Sequence, residues 1–184
     1  MTESPDPAPV IDQSPIRVAI DVGPLYGHRT GVGVAAAGLV DALTGRVDVT
    51  LDPYVVSFRS TPKAGHRRLP VPGIIASHLW SRTQWPRFDH WANGAQIIHG
   101  TNYVVPPTRL PAVVSVYDCW FLRHPELASP VVRRAGERLR RAVASGAFVH
   151  ASSVDTAGHV RSMFDTDRVV TIPQRSPGES PGDR

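Results

Sequence analysis

The stretch IRVAIDVGPLYGHRTGVGVAAAGLVDALTG, Ile16 to Gly45, decides the fold class. Its first seven residues, IRVAIDV (16–22), are almost continuously apolar, the pattern of a strand buried on both faces of a parallel sheet. Gly23 and Pro24 end that strand. VGVAAAGLVDALTG (32–45) then reads as a helix rich in small residues and closed by Gly45. Strand, glycine-bearing loop and helix make one βα unit.

The same alternation continues downstream. VDVTLDPYVVSF (47–58) reads as a second strand, interrupted near Pro53. Residues 59–92 read as an Arg/His/Pro loop and then a helical stretch carrying Trp80, Trp85, Phe88 and Trp91. AQIIHG (95–100), PAVVSVYD (111–118), AFVHAS (147–152) and RVVTIP (168–173) are further strands. Ser129 and Pro130 supply an N-cap and a first-turn proline for VVRRAGERLRRAVASG, which places Val132, Ala135, Leu139 and Val143 on one face. SVDTAGHVRSMF opens on a serine cap and sets Asp155 in the first turn, where the helix dipole favours it. The pattern predicts a single α/β Rossmann-like domain over 16–173, with a mostly parallel sheet, helices on both faces and right-handed crossovers. A disordered leader (1–15) and tail (174–184), both rich in proline and polar residues, flank it.

Composition narrows the function classes. The 184 residues suffice for a real core, and 41% hydrophobic against 20% charged residues is a globular balance. The formal charge of +4 comes almost entirely from arginine, Lys63 being the only lysine, and falls far short of a nucleic-acid signature. A single cysteine, Cys119, excludes an internal disulfide framework and suits a reducing cytoplasm. The start MTESPDPAPVIDQSP lacks a basic region followed by an apolar one, so no signal peptide is read, and no apolar run approaches a membrane span. A cytoplasmic location follows as the expectation. The helix bearing Arg133, Arg134, Arg138, Arg140 and Arg141 reads either as a solvated face or as a weak peripheral contact for anionic lipid headgroups. The eight histidines show no metal-ligand spacing, and neither a nucleophile elbow nor a P-loop is present.

In a parallel sheet, ligands bind beyond the carboxyl ends of the strands, and three polar clusters fall there. GPLYGHRTGVGVAAAG sets Gly31 and Gly33 before a helix, where bare backbone N–H groups approach a phosphate, or where the helix simply packs closely. Gly31-x-Gly33-x-x-Ala36 satisfies a loose dinucleotide fingerprint, yet eight residues separate Val22 from Gly31, and the fingerprint should follow its strand at once. IIHGTNYVVPP (97–107) ends a strand with His99, Thr101, Asn102 and Tyr103, donors suited to sugar hydroxyls or to the loop's own backbone. SVYDCWFLRHPEL (115–127) ends another with Tyr117 and Asp118. Here the carboxylate either accepts from substrate hydroxyls or caps the next turn, with Trp120, Phe121 and Leu122 as anchors to the core.

These clusters, in this order, resemble the N-terminal, acceptor-side half of a family 4 glycosyltransferase of the GT-B fold. The resemblance runs from about Arg17 to Pro173. It rests on RVAIDVGPLYGHRTGVGVAAAGLVDAL, IIHGTNYVVPP, VVSVYDCWFLRHPEL, VHASSVDTAGHVRSMF and RVVTIP, the middle three being the most specific. It implies transfer of a sugar from a nucleotide-sugar donor to a sugar or glycan acceptor, with retention at the anomeric carbon and no required metal or other cofactor. It also implies that Gly31 and Gly33 approach the donor diphosphate and that Asp118 is the catalytic carboxylate. Tyr117, Ser152 and Ser153 would line the cleft with His99, Thr101, Asn102 and Tyr103. Tyr117 stands where the family usually has histidine, and tyrosine is not a base near neutral pH. The Ser/Pro/Gly/Arg tail stands where the family's nucleotide-sugar domain begins. The expectation is therefore an acceptor-binding domain that is weak or inactive alone, with a separate donor-domain chain as a candidate partner. Two other classes stay open: a non-catalytic glycan-binding or partner-pairing module, and a nucleotide-binding oxidoreductase-like domain.

Overall fold

The computed structural model describes residues 14–26, 30–56 and 61–173. Apart from Ser14 and Pro15, the expected leader and tail lie outside the described residues. Among the described residues, seven strands form one sheet: β1 (Ile16–Asp21), β2 (Val49–Val56), β3 (Arg67–Leu69), β4 (Ile97–Gly100), β5 (Ala112–Val116), β6 (Phe148–Ala151) and β7 (Val169–Thr171). Their order across the sheet is β3-β2-β1-β4-β5-β6-β7 and every pairing is parallel. The chain is a Rossmann-like α/β domain.

The helices are α1 (Gly31–Thr44), α2 (Gly73–Trp80), the single turn α3 (Trp120–Arg123), α4 (Pro130–Ala144) and α5 (Val154–Phe164). Strand order reverses at β1 and β4, so right-handed crossovers send α1 to one face and α4 and α5 to the other. The main core lies under α4 and α5, where Leu139, Val143, Ala157 and Val160 meet Ile98, Val114, Val116, Val149 and Ala151. The three longest helices, α1, α4 and α5, start where the sequence supplies a capping acceptor. Thr30, Ser129 and Ser153 take the N–H groups of Gly33, Val132 and Thr156. Of the four residues expected on the inner face of α4, Leu139 and Val143 are buried, Ala135 is half-buried and Val132 is exposed.

Two expectations need correction. β2 runs through Pro53 without interruption, paired in register with Ile20. Asp48 and Tyr54 turn their carbonyls to β1, accepting from Ile16 and Val22, so the odd-numbered residues between them face away from it. β3 pairs only with Tyr54 to Val56, and the N–H that proline lacks therefore falls at an open edge. Second, the stretch 59–92 is not one loop and one helix. It contains β3, α2 and a 3-10 turn at Phe88–Trp91. Arg67 in β3 is tied by an ion pair to Asp52, 2.5 Å away, and by its other guanidinium nitrogen to the carbonyl of Trp91. No helix links β4 to β5. The loop from Thr101 to Pro111 crosses directly, burying Val105 in the core and giving the carbonyl of Pro107 to the N–H of Phe88. The carbonyl of Val104 folds back so closely on Gly100 that a Cβ there would lie 1.9 Å from its oxygen. Only glycine fits this crossing.

Candidate functional site

The carboxyl ends of β1, β4, β5 and β6 form one edge, and most of the expected site residues gather there. Two of them hold the edge together. Thr101, buried, donates its hydroxyl to the carbonyl of Asp21 at 2.7 Å, tying β4 to β1. Tyr117 donates its phenol to the carbonyl of Thr101 at 2.8 Å, tying β5 to β4. Burial pushes the Tyr117 phenol above its ordinary value, so it remains a neutral donor.

Asp118 is exposed just past β5 and is held from two sides. Its Oδ1 accepts from the N–H of Trp120 at 3.0 Å, and its Oδ2 accepts from the Tyr103 phenol at 2.7 Å. The capping role and the outward-facing role expected as alternatives are both present in the geometry, since one carboxylate has lone pairs for each. Tyr103 reaches this position from a left-handed backbone (φ 57°), with its ring edge-on to Tyr117 and Phe121. Burial, and then the Asp118 carboxylate, raise its phenol well above the usual tyrosine range. Asn102, beside it, is exposed.

The two serines have internal partners. Ser152 donates to the carbonyl of Tyr117 at 2.9 Å, and Ser153 caps α5 while donating to the Thr156 hydroxyl at 3.0 Å. At the start of α1, Gly31 is exposed, with open space where a side chain would stand, and Gly33 is buried. The N–H of Gly33 is taken by the Thr30 hydroxyl at 3.3 Å. A 3-10 turn, Gly23–Leu25, stands between β1 and this helix, which is why the fingerprint glycines do not follow the strand directly. Gly27, His28 and Arg29 lie outside the described residues.

His99 does not join the edge. It is buried within the sheet, where its Nε2 lies 2.9 Å from the Ser115 hydroxyl, which lies 3.0 Å from His150 Nδ1. His150 Nε2 in turn lies 3.2 Å from the carbonyl of Ile172. A carbonyl only accepts, so His150 carries its hydrogen on Nε2, Ser115 donates to the bare Nδ1, and His99 donates from Nε2 to Ser115. This chain spans β4, β5 and β6 and ends just past β7. Burial, and then the neighbouring His150, push His99 down to about 4, so it is a neutral structural residue near neutral pH.

Two features of the edge escaped the sequence reading. Asp21, the last residue of β1, accepts from the N–H of Gly23 at 2.8 Å, yet burial pushes its carboxyl up to about 6. Its register partner Tyr54 is fully buried against Phe88, with a hydroxyl that finds no hydrogen-bond partner among the described residues. An acid closing a buried strand immediately before Gly-Pro was the available signal. Trp120 is the second. Its expected place was in the core, but its indole is 52% exposed beside Asp118, and Phe121 and Leu122 take the inward positions of the turn.

Among the described residues, no group of histidine, cysteine and acidic side chains is placed to hold a metal ion, and no helix is long and apolar enough to cross a membrane. The geometry offers an oriented carboxylate, an exposed indole and an open helix N-terminus along one strand edge. No family model matches the chain, and no curated protein matches it in sequence.

Proposed function

We propose that this chain is the acceptor-side domain of a retaining glycosyltransferase, binding a sugar or glycan acceptor at the carboxyl edge of its sheet. The observation that carries the reading is the orientation of Asp118 by Tyr103 and by the N–H of Trp120, with oxygen lone pairs still turned to solvent. A carboxylate held this way accepts hydrogen bonds from paired sugar hydroxyls, and the Trp120 indole beside it suits the apolar face of a pyranose ring. Gly31, with open space over its backbone, would leave room at the start of α1 for the diphosphate of a nucleotide-sugar donor. The donor itself would be held mainly by a second domain, in this or another chain. Transition-state electrostatics would come mostly from that second domain, so these residues alone would turn over weakly or not at all.

The test is saturation-transfer NMR of the purified chain against a panel of mono- and oligosaccharides, with Asp118→Asn and Trp120→Ala as variants. Saturable binding to at least one sugar, weakened in both variants, is the expected result. Binding that neither variant changes would overturn the assignment. Robust transfer or hydrolysis of nucleotide sugars by the isolated chain would overturn its dependence on a second domain.

A partner-pairing role within the same reading is favoured by a separate observation. Phe148, Val170 and Ile172 lie on the sheet face away from α4 and α5, at 45%, 54% and 55% exposure. An apolar strip of this kind suits a docked protein surface.

A further inference from the structure

A cavity of about 400 Å³ opens at the opposite edge of the sheet, at the amino ends of β5, β6 and β7. Its walls include the last two turns of α4, the crossing loop ending at Pro111, and the residue just ahead of β7. Four arginines line it: Arg109, Arg138, Arg141 and Arg168. No aspartate or glutamate is among the described lining residues. None of the four makes an ion pair among the described residues.

Three of these guanidinium groups each donate one hydrogen bond to a backbone carbonyl, and that of Arg168 also lies over the Phe148 ring, 5.3 Å from its centroid. Arg141 donates from Nε to the carbonyl of Ser81 at 2.8 Å, Arg168 from Nη1 to that of Gly146 at 3.1 Å, and Arg138 from Nε to that of Arg134 at 3.2 Å. A guanidinium has five donors, so each of these three keeps N–H groups that no protein acceptor takes in these contacts. Burial, and then the adjacent Arg134, hold Arg138 below its ordinary value, so its charge is partly desolvated. Arg109 stands exposed. The nearby Asp89 carboxylate is engaged by the backbone N–H of Arg109 at 3.0 and 3.2 Å. A concave wall concentrates the positive potential of such a group. Pro106, Pro107, Leu110 and Phe148 add an apolar wall.

We propose that this cavity is a binding site for a phosphate monoester, with the phosphate on the Arg138 and Arg109 side chains and the esterified group against the proline-rich wall. Guanidinium groups match phosphate oxygens in bidentate geometry, and a tetrahedral dianion can engage more than one of them. The volume lies at the lower end for small-ligand pockets, which fits a nucleoside or sugar phosphate. A phosphomonoester headgroup at a membrane surface presents the same chemistry.

The test is calorimetric titration of the full chain with inorganic phosphate and adenosine monophosphate, alongside flotation with vesicles containing phosphatidic acid. Arg138→Gln and the exposed Arg109→Gln are the variants, and Arg46→Gln, at an exposed arginine outside the cavity, is the control. The expected result is saturable binding of a phosphate probe, weakened about tenfold or more by either arginine variant and unchanged by the control. Tighter binding of adenosine monophosphate than of phosphate would assign a soluble ester. Arginine-dependent binding to vesicles, without binding of the soluble probes, would assign a lipid headgroup. Absence of binding to every probe, or binding that both arginine variants leave intact, would overturn the proposal. If Arg138→Gln fails to fold, Arg109→Gln decides alone.

Discussion

The Tyr103 hydroxyl donates to Asp118 Oδ2 at 2.7 Å, so a residue from the loop after β4 fixes a carboxylate just past β5. Replacing Tyr103 by phenylalanine keeps the edge-on ring contacts with Tyr117 and Phe121 and removes only this bond. Tyr103→Phe should lower stability by about 1 kcal/mol, read from the denaturant midpoint at unchanged slope. It should also weaken sugar binding, because Asp118 would keep only the Trp120 N–H to orient it.

Two glycine-to-alanine exchanges should behave oppositely. Gly100→Ala places a methyl 1.9 Å from a backbone oxygen, where no side-chain rotation relieves the clash. A loss of about 4 kcal/mol or outright failure to fold is expected. Gly38→Ala, in the exposed middle of α1 with nothing within 4 Å, should raise stability by about 1 kcal/mol through helix propensity. Urea denaturation of both variants measures the contrast.

Asp21 makes folding sensitive to pH with a negative slope. Its carboxyl is held at about 6 in the fold against an ordinary 3.8, so between these values the folded state binds more protons than the unfolded one. Stability from this group is full below about pH 3.8 and is lost as pH rises through 6, amounting to about 3 kcal/mol. Asp21→Asn should therefore stabilise the protein at pH 7 and leave it nearly unchanged at pH 4, as followed by thermal melts across that range.

His99 acts with the opposite slope. Its value of about 4 lies below the ordinary 6.5, so here the unfolded state binds more protons between the two. The neutral, hydrogen-bonded imidazole contributes above pH 6.5, and that contribution, about 3 kcal/mol, is lost as pH falls toward 4. His99→Gln, which can still donate to Ser115, should flatten the acid limb of the stability profile. An acid limb as steep as that of the parent protein would show that this histidine is not its source.

Neighbours in α3 should separate stability from binding. Phe121→Ala opens a cavity in the core and should cost about 3–4 kcal/mol. Trp120→Ala, at a half-exposed indole, should cost less than about 1 kcal/mol while abolishing any sugar affinity that depends on stacking. Paired denaturation and NMR titrations distinguish the two.

The parallel sheet was legible because its strands are short apolar runs and its three longest capped helices carry Thr, Ser or Pro at their starts. The helices with clear caps, α4 and α5, begin at the expected serines. What failed to show was tertiary in origin. Arg67 and Arg68 look like loop residues, and β3 exists because Asp52 and the Trp91 carbonyl neutralise and anchor Arg67. Pro53 looked like a break because the position of β3 relative to β2 is not written in the local pattern. At the site, Asp118 and Tyr103 were recognisable as polar residues closing buried strands. His99 had the same signature, but alternation turns it into the sheet toward Ser115 and His150, which are distant in sequence. Trp120 was misplaced because a four-residue turn has too little periodicity to say which aromatic faces inward.

The crossing of β4 to β5 without a helix also bears on the order of assembly. Ile98 pairs with Ala112, fourteen positions along the chain, whereas Val18 in β1 must find Ile97 across seventy-nine. Closing the longer loop costs about 1.5 kcal/mol more in chain entropy. The β4–β5 pair, pinned by the bare backbone of Gly100, is thus among the cheapest long-range contacts in the sheet to form first, beside β2–β3, where Tyr54 pairs with Arg67 thirteen positions on. The β1–β4 seam, where strand order reverses, joins two halves that can each be partly built beforehand. Variants at the Gly100 crossing should therefore slow folding, whereas variants at the β1–β4 seam should mainly speed unfolding.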